Sequence, residues 1–201
     1  MKEPAGYSIS HLILEARTQC GEAQNRLFDH YRNYLKMIAR LLANKSAVAR
    51  IDPSDLVQET LLRAHERFSQ FKGVSEPEMA TWLRQILTRL VIDFTRREQA
   101  STRRLDRQQS LHDLLDDSLN SIQFLTDKNS SPSHKAEQRE LGVILANSLA
   151  NLSVDHREVV LLRNIEQLEW PDISEKMGRS TDAVRMLWTR ALRELRDVLE
   201  E

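Results

Sequence analysis

The segment from residue 170 to residue 195 constrains the fold more than any other, because it predicts two short helices that meet at a tight corner. Trp170 and Pro171 can begin the first helix, where the missing backbone N–H of proline needs no partner. Gly178 lacks a Cβ atom and allows the left-handed conformation that ends a helix, and the Ser180 hydroxyl can cap the next one. Apolar residues recur at three- and four-residue steps and predict a shared core: Ile173, Met177, Val184, Trp188, Ala191 and Leu195.

This spacing is that of a helix-turn-helix, a motif whose second helix reads the major groove of DNA. The residues predicted to contact DNA from its corner and exposed face are Arg179, Ser180, Thr181, Asp182, Arg185, Thr189 and Arg190. This end of the chain is locally basic although the whole chain has a formal net charge of −1. Binding to the phosphates of DNA needs such a local excess of positive charge. Helical hairpins with a solvated basic face are also common, so an interpretation without DNA stays open.

The composition predicts an all-α protein with two small domains. The chain of 201 residues contains 5 glycines and 5 prolines and shows little strand-like alternation, which favours helices throughout. It has no apolar run of membrane-spanning length and no apolar export-signal core, so we expect a cytoplasmic protein that does not insert into membranes. Its single cysteine, Cys20, predicts a buried thiol in a reducing compartment rather than a disulfide.

The sequence contains no pattern that indicates catalysis. The 6 histidines are scattered without the spacing of metal ligands. No nucleophile with its base and no glycine-rich phosphate loop can be recognised. We therefore expect no catalytic residue, no metal site and no cofactor, and a small helical enzyme is the interpretation with the least support.

Two further helices are predicted in the N-terminal half. The first covers residues 22–43, with an apolar stripe formed by Leu27, Tyr31, Leu35, Ile38 and Leu42. Asp52 is placed to cap the second, which has Pro53 in its first turn. Its buried stripe is predicted to be Val57, Leu61, Ala64 and Phe68. Its exposed face carries Asp55, Gln58, Glu59 and Leu62. Such a face can bind an arginine-rich helix, although a merely solvated face is equally compatible with the spacing.

A third long helix is predicted from Pro77 past Arg97, with an inward stripe of Met79, Leu83, Ile86, Leu90 and Phe94. Basic residues on this helix, with aromatic residues near its start, are typical of single-strand binding, because cations follow the backbone and exposed rings stack on bases. The candidates are Phe71, Lys72, Trp82, Arg84, Arg89, Arg96 and Arg97. Trp82 fits a core position better, whereas Phe71 lies in a polar loop and is expected to be exposed.

These residues resemble the bacterial sigma factors of the extracytoplasmic-function (ECF) type, which direct RNA polymerase to promoters. The resemblance rests on three segments in a fixed order: DPSDLVQETLLRAHERF at residues 52–68, ATWLRQILTRLVIDFTRR at 80–97 and REVVLLRNIEQLEWPDISEKMGRSTDAVRMLWTRAL at 157–192. In order, they look like the polymerase-binding helix, the segment that melts and holds the minus-ten element, and the reader of the minus-thirty-five element.

The resemblance implies a promoter-specificity subunit without catalysis of its own. Its partners would be promoter DNA and core RNA polymerase, through the beta-prime clamp helices and the beta flap. The residues that would engage polymerase are Asp55, Gln58, Glu59 and Leu62. An anti-sigma factor would use the same faces. The alternative is a stand-alone helix-turn-helix regulator that binds a palindromic duplex as a dimer.

The resemblance also divides the chain into a region 2-like domain at residues 1–100, a linker at 101–135 and a region 4-like domain at 136–201. The polar composition of the linker agrees. Three of its residues would occupy nucleic-acid-like space in polymerase or belong to a simple tether: Asp113, Asp116 and Asp117. Arg89 stands where the family often has asparagine, and Leu187 where many members carry a basic residue, so the preferred bases stay open at both positions.

Overall fold

The structure is a computed structural model that describes residues 8–18, 21–45, 52–101 and 134–200. Every regular element within these ranges is helical, which confirms the all-α prediction. The helices are α1 (Ile9–Thr18), α2 (Glu22–Lys45), α3 (Pro53–Arg67), α4 (Glu76–Ser101), α5 (His134–Asn151), α6 (Val154–Val160), α7 (Trp170–Met177) and α8 (Thr181–Glu200). A 3-10 turn, Phe68–Gln70, follows α3, and a π turn, Leu161–Ile165, follows α6.

α3 begins where the sequence predicts, after the cap formed by Asp52. The carboxylate of Asp52 accepts a hydrogen bond from the backbone N–H of Ser54 at 2.7 Å, and Pro53 takes the first helical position. This cap satisfies one of the backbone donors that the start of a helix leaves without a partner. The predicted inward stripe of α3 is buried: Val57, Leu61, Ala64 and Phe68. The stripe predicted for α2 is buried as well: Leu27, Tyr31, Leu35, Ile38 and Leu42.

α4 begins at a cap in which the Glu78 side chain connects its first turn to the loop before it. The Glu78 carboxylate accepts hydrogen bonds from the backbone N–H groups of Val74, at 2.9 Å, and Ser75, at 3.0 Å, and from the Ser75 hydroxyl at 2.7 Å. These bonds, above all the one from the Ser75 hydroxyl, lower the pKa of Glu78 below its ordinary value. The predicted inward residues of α4 are buried, or partly buried in the case of Phe94: Met79, Leu83, Ile86, Leu90 and Phe94.

The C-terminal helices form the predicted helix-turn-helix. Gly178 ends α7 in the left-handed conformation, with φ at 61°. The Ser180 hydroxyl accepts a hydrogen bond from the backbone N–H of Ala183 at 3.3 Å and so caps α8. Four of the predicted core residues are buried: Ile173, Val184, Ala191 and Leu195. Two others, Met177 and Trp188, are partly buried against the same core.

α5 connects the N-terminal helices to the helix-turn-helix. It packs against α2 and α4 and also contacts α8. Its Asn147 side chain accepts a hydrogen bond from the Asn33 amide at 3.1 Å and donates one to the His30 carbonyl oxygen at 3.3 Å. Gly142 allows close approach to Tyr34, since a Cβ atom there would lie 3.2 Å from the Tyr34 Cε2 atom. The N-terminal and C-terminal halves of the described chain are therefore packed together.

Some predictions fall outside the described residues. They concern the thiol of Cys20 and nearly all of the linker, with Asp113, Asp116 and Asp117. The division into domains at residues 1–100 and 136–201 stays a prediction, because packing between α5 and the N-terminal helices neither requires nor excludes two independently stable units.

Candidate nucleic-acid and protein interfaces

The outward side of α3 carries a surface, the α3 face, formed by Asp55, Gln58, Glu59 and Leu62. Three of these residues are exposed, and Leu62 keeps 56% of its surface accessible. Glu59 is partly buried and pairs with Arg63 one turn later, with 2.8 Å between its Oε1 and the arginine Nε. The structure thus brings together the four residues predicted to bind protein. An apolar side chain flanked by carboxylates and an amide fits a partner that is apolar and cationic.

The expected exposure of Phe71 is wrong. Phe71 is buried, with 6% of its surface accessible. Its ring centroid lies 5.1 Å from that of Trp82 and 6.2 Å from that of Phe68. The polar composition of the loop misled the prediction, because two neighbouring rings offer the phenyl group an apolar site that sequence spacing does not reveal. In this conformation the Phe71 ring cannot stack on an unpaired base.

Two residues that the sequence interpretation missed hold the loop around Phe71. Arg17 on α1 donates hydrogen bonds to the carbonyl oxygens of Phe71, at 3.2 Å, and Gly73. Its guanidinium carbon lies 5.6 Å from the centroid of the Phe71 ring. Glu78 holds the other end of the loop through the bonds that its carboxylate accepts from Val74 and Ser75. The Ser75-x-x-Glu78 spacing is a recognised sequence signal for such a cap, whereas no local pattern connects Arg17 with a residue 54 positions away.

The basic residues predicted along α4 do not form one exposed ridge. Arg89 and Lys72 are exposed and Trp82 is partly buried, but Arg84 is buried, with 5% of its surface accessible. The prediction for Arg84 is wrong because α4 packs on two sides, against α3 and against α5. Two side chains of the predicted ridge lie outside the described part of the chain, those of Arg96 and Arg97.

The outward side of α8 carries a second surface, the α8 face, formed by Asp182, Arg185, Thr189 and Arg190. All four residues are exposed, as the sequence predicts. Three other predicted DNA contacts lie at the corner. Ser180 caps α8, Arg179 forms an ion pair with Asp155 on α6, and Thr181 is partly buried. Leu187 packs against the core, which accounts for an apolar residue at that position.

Two arginines contact the indole of Trp170 beside the α8 face. The guanidinium carbon of Arg185 lies 5.8 Å from the ring centroid, and that of Arg163 lies 4.8 Å away. The rings of Trp170 and Trp188 meet at 76° with their centroids 5.6 Å apart. These separations are in the range of cation–π and edge-to-face attraction. The sequence interpretation gave Trp170 only the start of α7 and did not single out Arg163.

Four charged residues, the Arg40 ion-pair cluster, join α2 to the C-terminal half: Arg40, Glu158, Glu166 and Lys176. Arg40 donates to the two carboxylate oxygens of Glu158, at 2.7 and 2.6 Å, and also to Glu166. Lys176 on α7 lies 3.7 Å from a Glu166 oxygen, and the Glu166 side chain is 2% exposed. The cluster borders a cavity of about 520 Å³ between the two halves.

Burial and charge act in opposite directions within the Arg40 ion-pair cluster. Burial lowers the pKa of Arg40, but the hydrogen bonds and negative charges of Glu158 and Glu166 outweigh it and raise that pKa above its ordinary value. The hydrogen bond from Arg40 lowers the pKa of Glu158, against the opposing effect of burial. Arg40 and Glu158 therefore form a charge-assisted pair at neutral pH.

Among the described residues, no group of His, Cys, Asp and Glu side chains is arranged to hold a metal ion. Within residues 8–18, 21–45, 52–101 and 134–200, the structure contains no helix with the length and apolar character that a bilayer crossing demands.

By its fold, the chain is an all-α protein with a helix-turn-helix and an exposed acidic helix face. The family model for the ECF sigma factor matches residues 7–200. The chain belongs to this family, which confirms the resemblance of its three segments.

Two curated sigma factors are similar to this chain over most of its length. The chain is 33% identical over 156 residues to the ECF RNA polymerase sigma factor SigG of Mycobacterium tuberculosis, covering 73% of this chain and 42% of SigG. It therefore spans less than half the length of SigG. It is 27% identical over 187 residues to the ECF RNA polymerase sigma-E factor of Haemophilus influenzae, covering 91% and 92% of the two chains. A solved structure of CnrH in complex with the cytosolic domain of CnrY is 21% identical, with a TM-score of 0.35 and coverage of 95% and 96%.

Proposed function

We propose that this chain is a sigma factor that binds core RNA polymerase and directs promoter recognition, DNA melting and transcription initiation. The observation that carries the proposal is the family match over residues 7–200, which includes both the α3 face and the α8 face. Each face has one macromolecular partner in this proposal. Polymerase supplies the chemistry, and the chain supplies the choice of the starting site.

The α3 face would bind the beta-prime clamp helices of core polymerase, and the C-terminal helices would contact the beta flap. The carboxylates of Asp55 and Glu59 can accept charge-assisted hydrogen bonds from a cationic partner helix. Leu62 would lose its contact with water on binding, which favours association. The Glu59–Arg63 pair is only partly buried, so its exchange for a partner arginine costs little.

The loop before α4, with α4 itself, would hold the melted minus-ten strand. Lys72 and Arg89 are exposed and can follow the phosphates of a single strand. The buried Phe71 ring would support this loop instead of stacking on a base. Arg17 and Glu78 fix the loop in one conformation, which reduces the entropy lost when a strand binds.

The α8 face would bind duplex DNA at the minus-thirty-five element. A bidentate contact from Arg185 to a guanine would contribute about 1–3 kcal/mol of discrimination against another base. Two elements on one side of a duplex, two helical turns apart, are roughly 70 Å apart. Binding of both elements would therefore require the packed halves to separate on polymerase. An anti-sigma factor that covers these faces stays a prediction of the family resemblance.

The deciding experiment is a binding assay with purified core RNA polymerase. The double variant Asp55→Arg with Glu59→Arg should lose binding, because it reverses the charge of the α3 face. The matched control, Glu22→Arg with Asp29→Arg, reverses two exposed carboxylates of α2, outside both proposed faces, and should bind like the wild type. Thermal unfolding of both double variants verifies that the loss of binding does not reflect loss of the fold.

A second assay separates the proposal from a stand-alone regulator. Core polymerase with the wild-type chain should initiate at defined genomic sites, which start-site sequencing reveals together with their upstream elements. A chain that ignores polymerase but binds a palindromic duplex tightly as a dimer would contradict the proposal.

A further inference from the structure

The indole of Trp170 contacts Arg185, the arginine that the α8 face would present to a base edge. Trp170 begins α7 and Arg185 lies in the second turn of α8, so the contact joins the two helices of the motif. The 5.8 Å between the guanidinium carbon and the ring centroid is within the reach of cation–π attraction. The Arg185 side chain is still 56% exposed. The ring therefore restrains the guanidinium without removing it from solvent.

The indole of Trp170 is itself held in place. It meets the Trp188 ring at 76°, and the Trp188 Nε1–H group donates to the Asn164 side chain at 2.8 Å. Its second cationic contact, Arg163, is anchored by donating to the Leu168 carbonyl oxygen at 2.8 Å. A ring with these contacts offers Arg185 a fixed surface rather than a mobile one.

The ion pair of Arg185 with Asp182 is weaker. Asp182, one turn earlier, has an oxygen 3.8 Å from the Arg185 Nη1 atom, and its side chain is 91% exposed. An exposed ion pair at this separation contributes little to the position of either side chain. Among the described residues, the Trp170 ring is thus the main restraint on the Arg185 guanidinium.

We infer that Trp170 is a positioning residue for DNA reading, which holds the Arg185 guanidinium against its ring before the minus-thirty-five element binds. The inference rests on the proposed function, in which Arg185 contacts that element. Arginine presents its donors as a planar fork, and fixing that fork in advance reduces the rotamer freedom lost on binding. Trp170 would thereby strengthen the preference of the complex for an intact element without touching DNA itself.

A first test uses the wild-type chain alone. The order parameter of the Arg185 Nε–Hε bond, from nitrogen-15 relaxation, is compared with that of Arg190, which is exposed on the same helix and contacts no aromatic ring in the described ranges. We expect a clearly higher order parameter at Arg185, because the indole restricts its motion. Equal, low values at the two arginines would overturn the inference and leave the proposed function untouched.

A second test is a double-mutant cycle with core polymerase. Trp170→Leu, Arg185→Ala and the combined variant are assayed on a mapped promoter and on the same promoter with its upstream element altered. We expect Trp170→Leu to reduce the preference for the intact element about two- to fivefold, the range of an exposed cation–π contact. It should have no further effect once Arg185 is alanine. Trp170→Phe keeps an aromatic face and should retain most of the preference, and thermal unfolding verifies each variant.

The outcomes of the cycle separate the inference from the function. Equal losses from Trp170→Leu with and without Arg185 would show that Trp170 acts only through folding, which overturns the inference. If Arg185→Ala leaves the preference unchanged while initiation continues, Arg185 does not read the element, and the inference fails although the chain is still a sigma factor. Failure of the wild type to initiate with polymerase would overturn the proposed function itself.

Discussion

Arg40 and Glu158 lie 118 positions apart in the sequence, yet two guanidinium nitrogens of Arg40 donate to the two carboxylate oxygens of Glu158. The two parallel hydrogen bonds form a bidentate pair between the guanidinium and the carboxylate. Such a pair is stronger than a single hydrogen bond and fixes the orientation of both groups. Arg40 also binds the buried Glu166, so one side chain of α2 engages two carboxylates of the C-terminal half.

Replacing Arg40 with methionine should lower the free energy of unfolding by about 2–4 kcal/mol, because the buried Glu166 carboxylate loses its closest charged partner. Methionine keeps much of the aliphatic volume. The matched control is Arg32→Met on the same helix, which removes an exposed pair with Asp29 and should cost less than about 1 kcal/mol. Urea denaturation measures both values. Equal costs would show that the Arg40 ion-pair cluster contributes no more than a surface pair.

The stability of the chain should fall in acid partly through Glu158. Its folded-state pKa is lowered below the ordinary 4.5, first by the hydrogen bond from Arg40. A carboxylate with a lowered pKa contributes stability that is complete above its unfolded pKa and is lost as the pH falls through its folded pKa. Denaturation midpoints between neutral pH and values below 4.5 should therefore drop less in Glu158→Gln than in the wild type. Identical pH profiles for the two proteins would contradict the prediction.

Phe71→Ala should destabilise the fold by about 3–5 kcal/mol, the usual cost of removing a buried phenyl ring. The control is Val74→Ala in the same loop. Val74 is 54% exposed, so its truncation should change stability by no more than about 0.5 kcal/mol. Thermal or urea unfolding distinguishes the two variants. If Phe71→Ala unfolds like the wild type and loses only single-strand binding, the ring is a stacking platform after all.

Gly178→Ala should cost roughly 1–2 kcal/mol, because an L-residue with a Cβ atom is strained in the left-handed conformation that ends α7. The effect is purely conformational, since a Cβ atom at Gly178 would meet no described residue within 4 Å apart from its neighbours in the chain. Gly178→Asn is the control, because asparagine tolerates this conformation better. Its thermal midpoint should lie between those of the wild type and Gly178→Ala. A midpoint for Gly178→Ala equal to that of the wild type would contradict this account.

Local signals explain why much of the fold could be predicted. Asp52 caps α3 through a backbone group two residues away, and Gly178 and Ser180 end one helix and cap the next within a few positions. Each signal acts on backbone donors or backbone conformation next to it, so the sequence alone contains the necessary information. The two exposed faces follow from the same helical spacing, once the buried stripes are known.

Contacts between distant elements explain the errors. Arg84 is buried because α5, from the far side of the linker, packs on α4. The Phe71 ring packs in an apolar site beside Trp82. Helical spacing cannot predict this contact, because Phe71 lies in a loop. The contact of Trp170 with Arg185 depends on how α7 crosses α8. In each case the decisive neighbour is fixed by tertiary packing, which spacing along one segment does not encode.

The bidentate pair of Arg40 forms only while the two halves of the chain adjoin. Whatever free energy the pair gives to that closed arrangement is subtracted from the affinity for any target that needs the halves apart. The binding free energy of a target that contacts only one face can be too small to offset this cost. A target that binds both faces at once can offset it. If the halves separate on polymerase as proposed, one arginine on α2 would make selectivity depend on the binding of both faces, even though it lies on neither of them.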